Sequence, residues 1–278
     1  AKAEKVSGGS CAYFAAASAF HHQPVRIVGA VGGDWPDNHA TLLESIDGLC
    51  LEGLERRSES KTFAWGGRYF DNMNQRETLF TELGVLEEAP PEVPDSYSDS
   101  RIIFLANSHP SVQLDLLHKF PNRQLAVADT MDLWINIARD ELLALFKEID
   151  GLIINDSEAE QLTEIKNPIS AAREIINMGP SFVIVKKGEH GAVLVHKDGV
   201  AVVPAFPLEL EGVIDPTGAG DSFAGGFMGF LASSGKLDFK TMQESMAWGT
   251  VTASFTLGSF GLDVLCSTSR AELDSRMN

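Results

Sequence analysis

Residues 215–227 read DPTGAGDSFAGGF: an aspartate, a Pro-Thr pair, a Gly-Ala-Gly turn, a second aspartate, and then an apolar run reaching Ala232. Glycine and proline mark a tight turn, and the run behind them has helical length, so the stretch predicts a turn that feeds directly into a helix. N–H groups at a helix start have no intrahelical acceptor, and the helix dipole adds positive potential there. Gly218, Ala219 and Gly220 are therefore a candidate anion hole. Asp221 follows in the first turn, where it could take a proton from an attacking hydroxyl while the amides receive the charge of a transferred group. Phosphoryl transfer needs that combination, because the protein contributes positioning and charge stabilisation and little covalent chemistry. The same residues also read as a capping aspartate on a turn before a core helix, with glycines for close packing.

Two other phosphate-binding patterns do not fit. No G-x-x-x-x-G-K-[S/T] loop occurs, and a dinucleotide fingerprint should follow an early strand and carry a third glycine.

Outward from the turn, short β-branched runs at 26–31, 101–106, 125–128, 151–154 and 182–186 alternate with amphipathic segments at 111–119, 140–148, 157–163 and 170–178. That rhythm predicts an α/β fold with a largely parallel sheet. No repeat or long linker interrupts the 278 residues, so a single domain over 1–278 is expected. Residues from about 51 to 86 break the rhythm and read as strands and turns around Gly66-Gly67, a β-hairpin lid over a cleft.

The formal charge is −17, with 22 Lys and Arg against 39 Asp and Glu, which argues against nucleic-acid or anionic-membrane partners. No apolar stretch has bilayer length and no secretory pattern opens the chain. Three distant cysteines, Cys11, Cys50 and Cys266, read as reduced core thiols of a cytoplasmic protein.

Four motifs in order carry a resemblance: SGGSCAYFAAASAF (7–20) followed by VGAVGGD (28–34), NDSEAEQL (155–162), VIVKKGEHGAVLV (183–195), and DPTGAGDSF (215–223). Together they resemble the PfkB family of ribokinase-type carbohydrate and nucleoside kinases over essentially the whole chain. The resemblance implies a ribokinase-like three-layer α/β fold, with a mostly parallel central sheet flanked by helices and a small β lid. It implies ATP and Mg2+ as cosubstrate and metal, with K+ as a further ion.

By this match Asp221 would be the catalytic base, and Gly218, Ala219 and Gly220 would hold the γ-phosphoryl group. Asp215 would sit where relatives hold a monovalent cation; it also reads as a turn aspartate bonding its own backbone. Asn155 and Glu158 would place magnesium largely through water, which suits an ion that keeps several waters; they equally read as a helix cap with a first-turn acid. Gly188 and Gly191 would shape the turn beneath the nucleotide, and Lys186, where many relatives carry Thr, would reach phosphate as a point charge. Gly249 and Thr250 would flank adenine, with buried helix packing an equal reading.

On the acceptor side Gly8 and Gly9 would let the substrate approach the backbone, with Asp34 ending the second half of that motif. Tyr13 stands where relatives usually have an Asn that bonds sugar hydroxyls, and a tyrosine there would stack on a ring or close off space. The residues before Gly8 hold no counterpart of the family's first strand. In the lid, Trp65, Arg68, Asn72, Asn74 and Arg76 would face the acceptor or form a solvated hairpin face. The implied activity is ATP-dependent phosphorylation of a small sugar. A nucleoside kinase and a non-catalytic binding protein are the alternatives, with a homodimer through the lid as the expected assembly.

Overall fold

The chain enters its first helix, α1 (Ser10–Ala19), through Gly9, which has φ 98°. Strand β1 (Val25–Gly32), helix α2 (Asp37–Glu44) and strand β2 (Leu49–Arg57) follow, and β1 and β2 pair in parallel as a two-stranded sheet of their own. In this computed structural model residues 2–70, 73 and 76–278 are described.

The hairpin expected over 51–86 is shorter than the sequence suggests. Its antiparallel pair is β3 (Ala64–Tyr69) with β4 (Arg76–Glu82), a separate two-stranded sheet. The first part of the segment belongs to β2, whose partly buried residues pack beside β1. Strand-forming composition was read correctly there, but pairing partner is a tertiary property that alternation does not encode. Asn72 and Asn74 lie outside the described residues.

The main sheet begins with β5 (Ile102–Leu105), which leads through α3 (Pro110–Leu117) to β6 (Leu125–Ala128). Helices α4 (Asp132–Ile137) and α5 (Arg139–Phe146) connect β6 to β7 (Gly151–Asn155). Helices α6 (Asp156–Thr163) and α7 (Pro168–Met178) then lead to β8 (Phe182–Lys186). These four strands pair in parallel in chain order, and β9 (Ala192–His196) and β10 (Gly199–Val203) extend the sheet antiparallel. Strand β6 is buried at every position, as expected of a parallel strand covered on both faces.

Alternation along the strands feeds two cores. Leu152, Ile154, Val183 and Val185 pack with α3, α5, α6 and α7, while Ile153, Phe182 and Ile184 face the other side. That second side is covered by α8 (Ala219–Ser234) and α9 (Phe239–Thr256), and the short α10 (Asp263–Ser267) and α11 (Arg270–Met277) close the chain against α9 and α1. The result is the three-layer α/β arrangement that the family resemblance implies.

Helix α8 runs between α1 and α9 at very short range. A Cβ on Gly225 would stand 2.3 Å from the Phe14 carbonyl oxygen, and one on Gly229 2.8 Å from that of Ser18. On the other side, a Cβ on Gly226 would lie 2.7 Å from Thr252 Oγ1. A glycine in a helix interior costs about 1 kcal/mol relative to alanine, so close packing must offset these three. The buried Thr256 hydroxyl donates to Ser222 Oγ at 2.7 Å and ties α9 to α8. Among the described residues, no helix is long and apolar enough to cross a membrane.

Candidate active site

Parallel pairing brings the carboxyl ends of β6, β7 and β8 to one edge of the sheet. Asn155 and Lys186 are register partners there, and Asp129 directly follows Ala128, which pairs with Leu152. Ligands of open α/β sheets gather at this edge.

The glycine turn faces the same edge. Asp215 Oδ1 accepts the Thr217 amide at 3.0 Å, the self-bonded turn that its sequence context allows. Gly218 then caps α8 in the left-handed conformation at φ 80°, and its carbonyl accepts the Ser222 amide at 2.8 Å. A side chain is excluded twice over, because a Cβ at Gly218 would also stand 2.4 Å from the ring of Tyr13. At Gly220 a Cβ would lie 2.7 Å from Lys186 Nζ. An ammonium and a helix N-terminus therefore converge over one residue, an arrangement that can receive an anion.

Three acids share that space. Asp221 lies in the first turn of α8, and its carboxyl is held above the usual aspartate range by burial. Lys186, hydrogen bonds from Asp129 and Ser10, and Arg76 of β4 all oppose that rise by favouring the charged form. Asp129 is 6% exposed and sits well above its ordinary value, first through desolvation and then through the neighbouring charge of Asp221. Glu158 is raised by burial as well, with Lys186, the Asn155 amide and Arg76 pulling it back.

Asn155 and Glu158 form a complete capping box on α6: Asn155 Oδ1 accepts the Glu158 amide at 2.8 Å, and Glu158 Oε2 accepts the Asn155 amide at 2.9 Å. Among the described residues, no group of three His, Cys, Asp or Glu could hold a metal by itself. A capped, buried acid beside an anion site fits an ion bound chiefly by water and phosphate.

The remaining predicted residues divide between this site and elsewhere. Gly8 lies 3.5 Å from Tyr13 by the same Cβ measure, so Tyr13 is wedged between the amino-terminal glycine pair and the glycine turn. It is 2% exposed, which leaves no face for a ligand ring; of the two roles open to it, it closes off space. Gly188 and Gly191 form the β8–β9 turn with positive φ. Gly249 packs in the α8–α9 crossing, where a Cβ would stand 2.8 Å from the Phe223 carbonyl oxygen, and the half-buried Thr250 follows it. Asp34 clamps the start of the lid, accepting the Thr62 amide at 2.7 Å and its hydroxyl at 2.9 Å. Arg68 is exposed and pairs across the hairpin with Glu77 at 2.6 Å. Trp65 donates to Thr78 Oγ1 at 3.3 Å and lies under the Arg76 guanidinium.

Sequence reading missed Asp129, Ser10 and a contact between lid and turn, the Thr217 hydroxyl donating to the Tyr69 hydroxyl at 3.3 Å. Asp129 carried a usable signal, since it directly follows a predicted buried strand, as Asn155 does. One cysteine needs correcting: Cys50 and Cys266 pack half-buried against the core, but Cys11 is exposed; all three are free.

A family model described as pfkB family carbohydrate kinase matches residues 118–269. A cytidine kinase of Thermococcus kodakarensis is 29% identical over 227 residues, covering 80% of this chain and 78% of that protein. The crystal structure of Methanocaldococcus jannaschii nucleoside kinase, an archaeal member of the ribokinase family, superposes with a TM-score of 0.76 at 23% identity, over 97% of this chain and 86% of that one. A putative ribokinase II from E. coli, in complex with ATP and Mg2+, gives a TM-score of 0.78 at 18% identity, over 97% and 88%. Half of the chain falls within the family model, and the fold agrees nearly end to end: the chain belongs to the pfkB family of carbohydrate kinases.

Proposed function

We propose that this chain transfers the γ-phosphoryl group of ATP to a hydroxyl of a ribose-type acceptor, as the free sugar or within a nucleoside. The observation that carries the reading is Asp221 in the first turn of α8, beside a glycine turn over which Lys186 Nζ is drawn. Asp221 takes the proton of the acceptor hydroxyl, whose oxygen forms the new bond to the γ-phosphorus. The bond from that phosphorus to the β-bridging oxygen breaks and ADP leaves. Charge on the moving group meets the first-turn amides of α8 and the Lys186 ammonium. Magnesium would be held through bound water near Asn155 and Glu158, and it neutralises phosphate charge when present.

Tyr13, in place of a hydroxyl-binding Asn, shapes the acceptor pocket by filling space between Gly8 and Gly218. A nucleoside acceptor gains support from the cytidine kinase matched over 80% of this chain. A homodimer through the lid belongs to the same reading, because Leu79 and Phe80 of β4 are exposed. A single monomeric species in light scattering would remove that part.

The test is ADP release with Mg-ATP across ribose, deoxyribose, cytidine, adenosine and inosine, with Asp221→Asn alongside. Turnover on one acceptor that falls at least ~10²-fold in the variant supports the reading. Turnover that survives the substitution removes Asp221 as base, and no turnover on any acceptor points to a binding protein.

A further inference from the structure

Register defines the two faces of the β3–β4 hairpin. Tyr69 stands opposite Arg76 and Gly67 opposite Thr78, and residues directly opposite each other in an antiparallel pair share a face. Trp65 belongs to the same face: a Cβ on Gly67 would stand 2.2 Å from its ring, and its indole N–H donates to Thr78 Oγ1 at 3.3 Å. That face therefore carries Trp65, Tyr69, Arg76 and Thr78, while Arg68 and Glu77 pair on the other. Tyr69 tells which way it looks, because its hydroxyl accepts that of Thr217 at 3.3 Å, in the glycine turn.

The two ends of the hairpin are held differently. At the root, Asp34 accepts both the amide and the hydroxyl of Thr62, the Gly33 amide donates to the Ser60 carbonyl at 3.0 Å, and the Val85 amide donates to that of Lys61 at 2.9 Å. Tyr69 ends β3, on the order of 20 Å of extended chain beyond Thr62. A two-stranded ribbon is marginally stable by itself, and β4 is exposed at every position. A ribbon fixed at its root can swing at the far end, so a bond made there decides where the inner face lies. The partner in that bond is firmly placed. The Thr217 amide donates to Asp215 Oδ1 at 3.0 Å, the Ile214 amide donates to the Leu257 carbonyl at 2.8 Å, and Gly218 is backed by the ring of Tyr13. Residues 217 and 218 thus lie between one tyrosine from α1 and another from the hairpin.

We propose that Tyr69 and Thr217 form a latch that sets the inner face of the hairpin over the glycine turn, which makes Tyr69 a positioning residue for the acceptor. With the latch made, the wall of the acceptor site is ordered before the acceptor arrives. With the latch broken, each acceptor must order the ribbon at the expense of its own binding free energy. The loss therefore falls mainly on acceptor affinity. The inference rests on the proposed phosphoryl transfer, so its test includes a readout that needs no turnover.

Thr217→Val replaces the hydroxyl by a methyl group, Thr217→Ser keeps it, and Tyr69→Phe removes the other half of the bond. Thr217→Val should raise acceptor KM roughly fivefold, the weight of one neutral hydrogen bond, with KM for ATP little changed and a smaller effect on kcat. Thr217→Ser should recover most of that affinity. Tyr69→Phe combined with Thr217→Val should cost no more than either alone, whereas independent residues would multiply to about 25-fold. Independently of activity, backbone amides of β3 and β4 should exchange hydrogen faster in Tyr69→Phe and in Thr217→Val, by a similar factor, with α8 unchanged. Multiplied losses in the double variant would overturn the latch, and so would hairpin exchange at the wild-type rate in both single variants. A fall in kcat with acceptor KM unchanged would overturn the positioning role, by assigning the bond to the chemical step. If the wild type turns over no acceptor, the phosphoryl-transfer reading fails; faster exchange then still upholds the latch, and unchanged exchange overturns it.

Discussion

Tyr13 and Gly218 are in contact so close that no side chain fits between them: a Cβ on the glycine would stand 2.4 Å from both Cδ2 and Cε2 of the ring. The residue that departs from the family's usual Asn is thus the one that fixes the glycine turn from behind. Gly218→Ala combines this clash with a left-handed backbone that costs alanine about 1–2 kcal/mol. We expect a drop in Tm of roughly 5 °C or more, since about 1 kcal/mol corresponds to a few degrees for a chain of this size. Adding Tyr13→Ala should relieve the clash, so the double variant should cost less than the sum of the singles, as read by urea unfolding.

Lys186 stands over Gly220 and favours the charged forms of Asp221, Asp129 and Glu158. Lys186→Met should reduce kcat/KM by on the order of 10²-fold, comparable to removing a donor to a developing anion. The pH profile tests the cause. As the proposed base Asp221 must be ionised to act, and burial already raises its value, so activity should be lost as pH falls through that raised value. Without the lysine the value climbs further and the acid limb must move to higher pH.

Asp129 also predicts a stability effect with a definite sign. An acid whose folded-state value is raised binds its proton more tightly folded than unfolded, so its contribution to stability is lost as pH rises above the unfolded value of about 3.9. Asparagine does not titrate. The difference in Tm, Asp129→Asn minus wild type, should therefore increase between acidic and alkaline pH in calorimetric scans. A constant difference would contradict the raised value.

Tyr69 of the lid accepts the hydroxyl hydrogen of Thr217 in the turn, at 3.3 Å. Tyr69→Phe removes this link between hairpin and turn. A neutral hydrogen bond is worth about 1 kcal/mol, so acceptor KM should rise by roughly fivefold, with a smaller change in kcat, in steady-state kinetics.

Gly225→Ala places a methyl group 2.3 Å from the Phe14 carbonyl oxygen, which is backbone and cannot swing away. The cost of such overpacking is about 1–3 kcal/mol, and thermal melts should show it even though the site itself is unaltered.

Much of this was legible in the chain because local pattern and position agree. Buried runs such as 182–186 and caps such as Asn155 mark elements whose boundaries the structure reproduces within a residue or two. The turn into α8 was legible because glycine beside proline marks a tight turn and the apolar run behind it has helical length. Asp129, Ser10 and Tyr69 were missed for a common reason: each is an ordinary residue made significant by what lies opposite it. Ser10 meets Asp221 only because α1 packs along α8, and Asp129 only because β6 ends beside the turn. The extent of the hairpin was misjudged because β2 takes β1 as its partner in place of β3, a choice made by packing. Gly249 shows the converse, a motif position whose surroundings are a helix crossing.

The glycines of α8 carry one more consequence. With α1 drawn in at Gly225 and Gly229 and α9 at Gly226, the helix that bears Asp221 is clamped along two sides and has little room to shift. On the proposed function, a new acceptor would then be accommodated around Tyr13 and by the hairpin, whose strand β4 is exposed along its length. The architecture separates an invariable chassis from an exchangeable attachment. On the proposed function, acceptor preference should therefore be transplantable between such proteins by moving residues of the hairpin together with Tyr13, with the chemical step left intact.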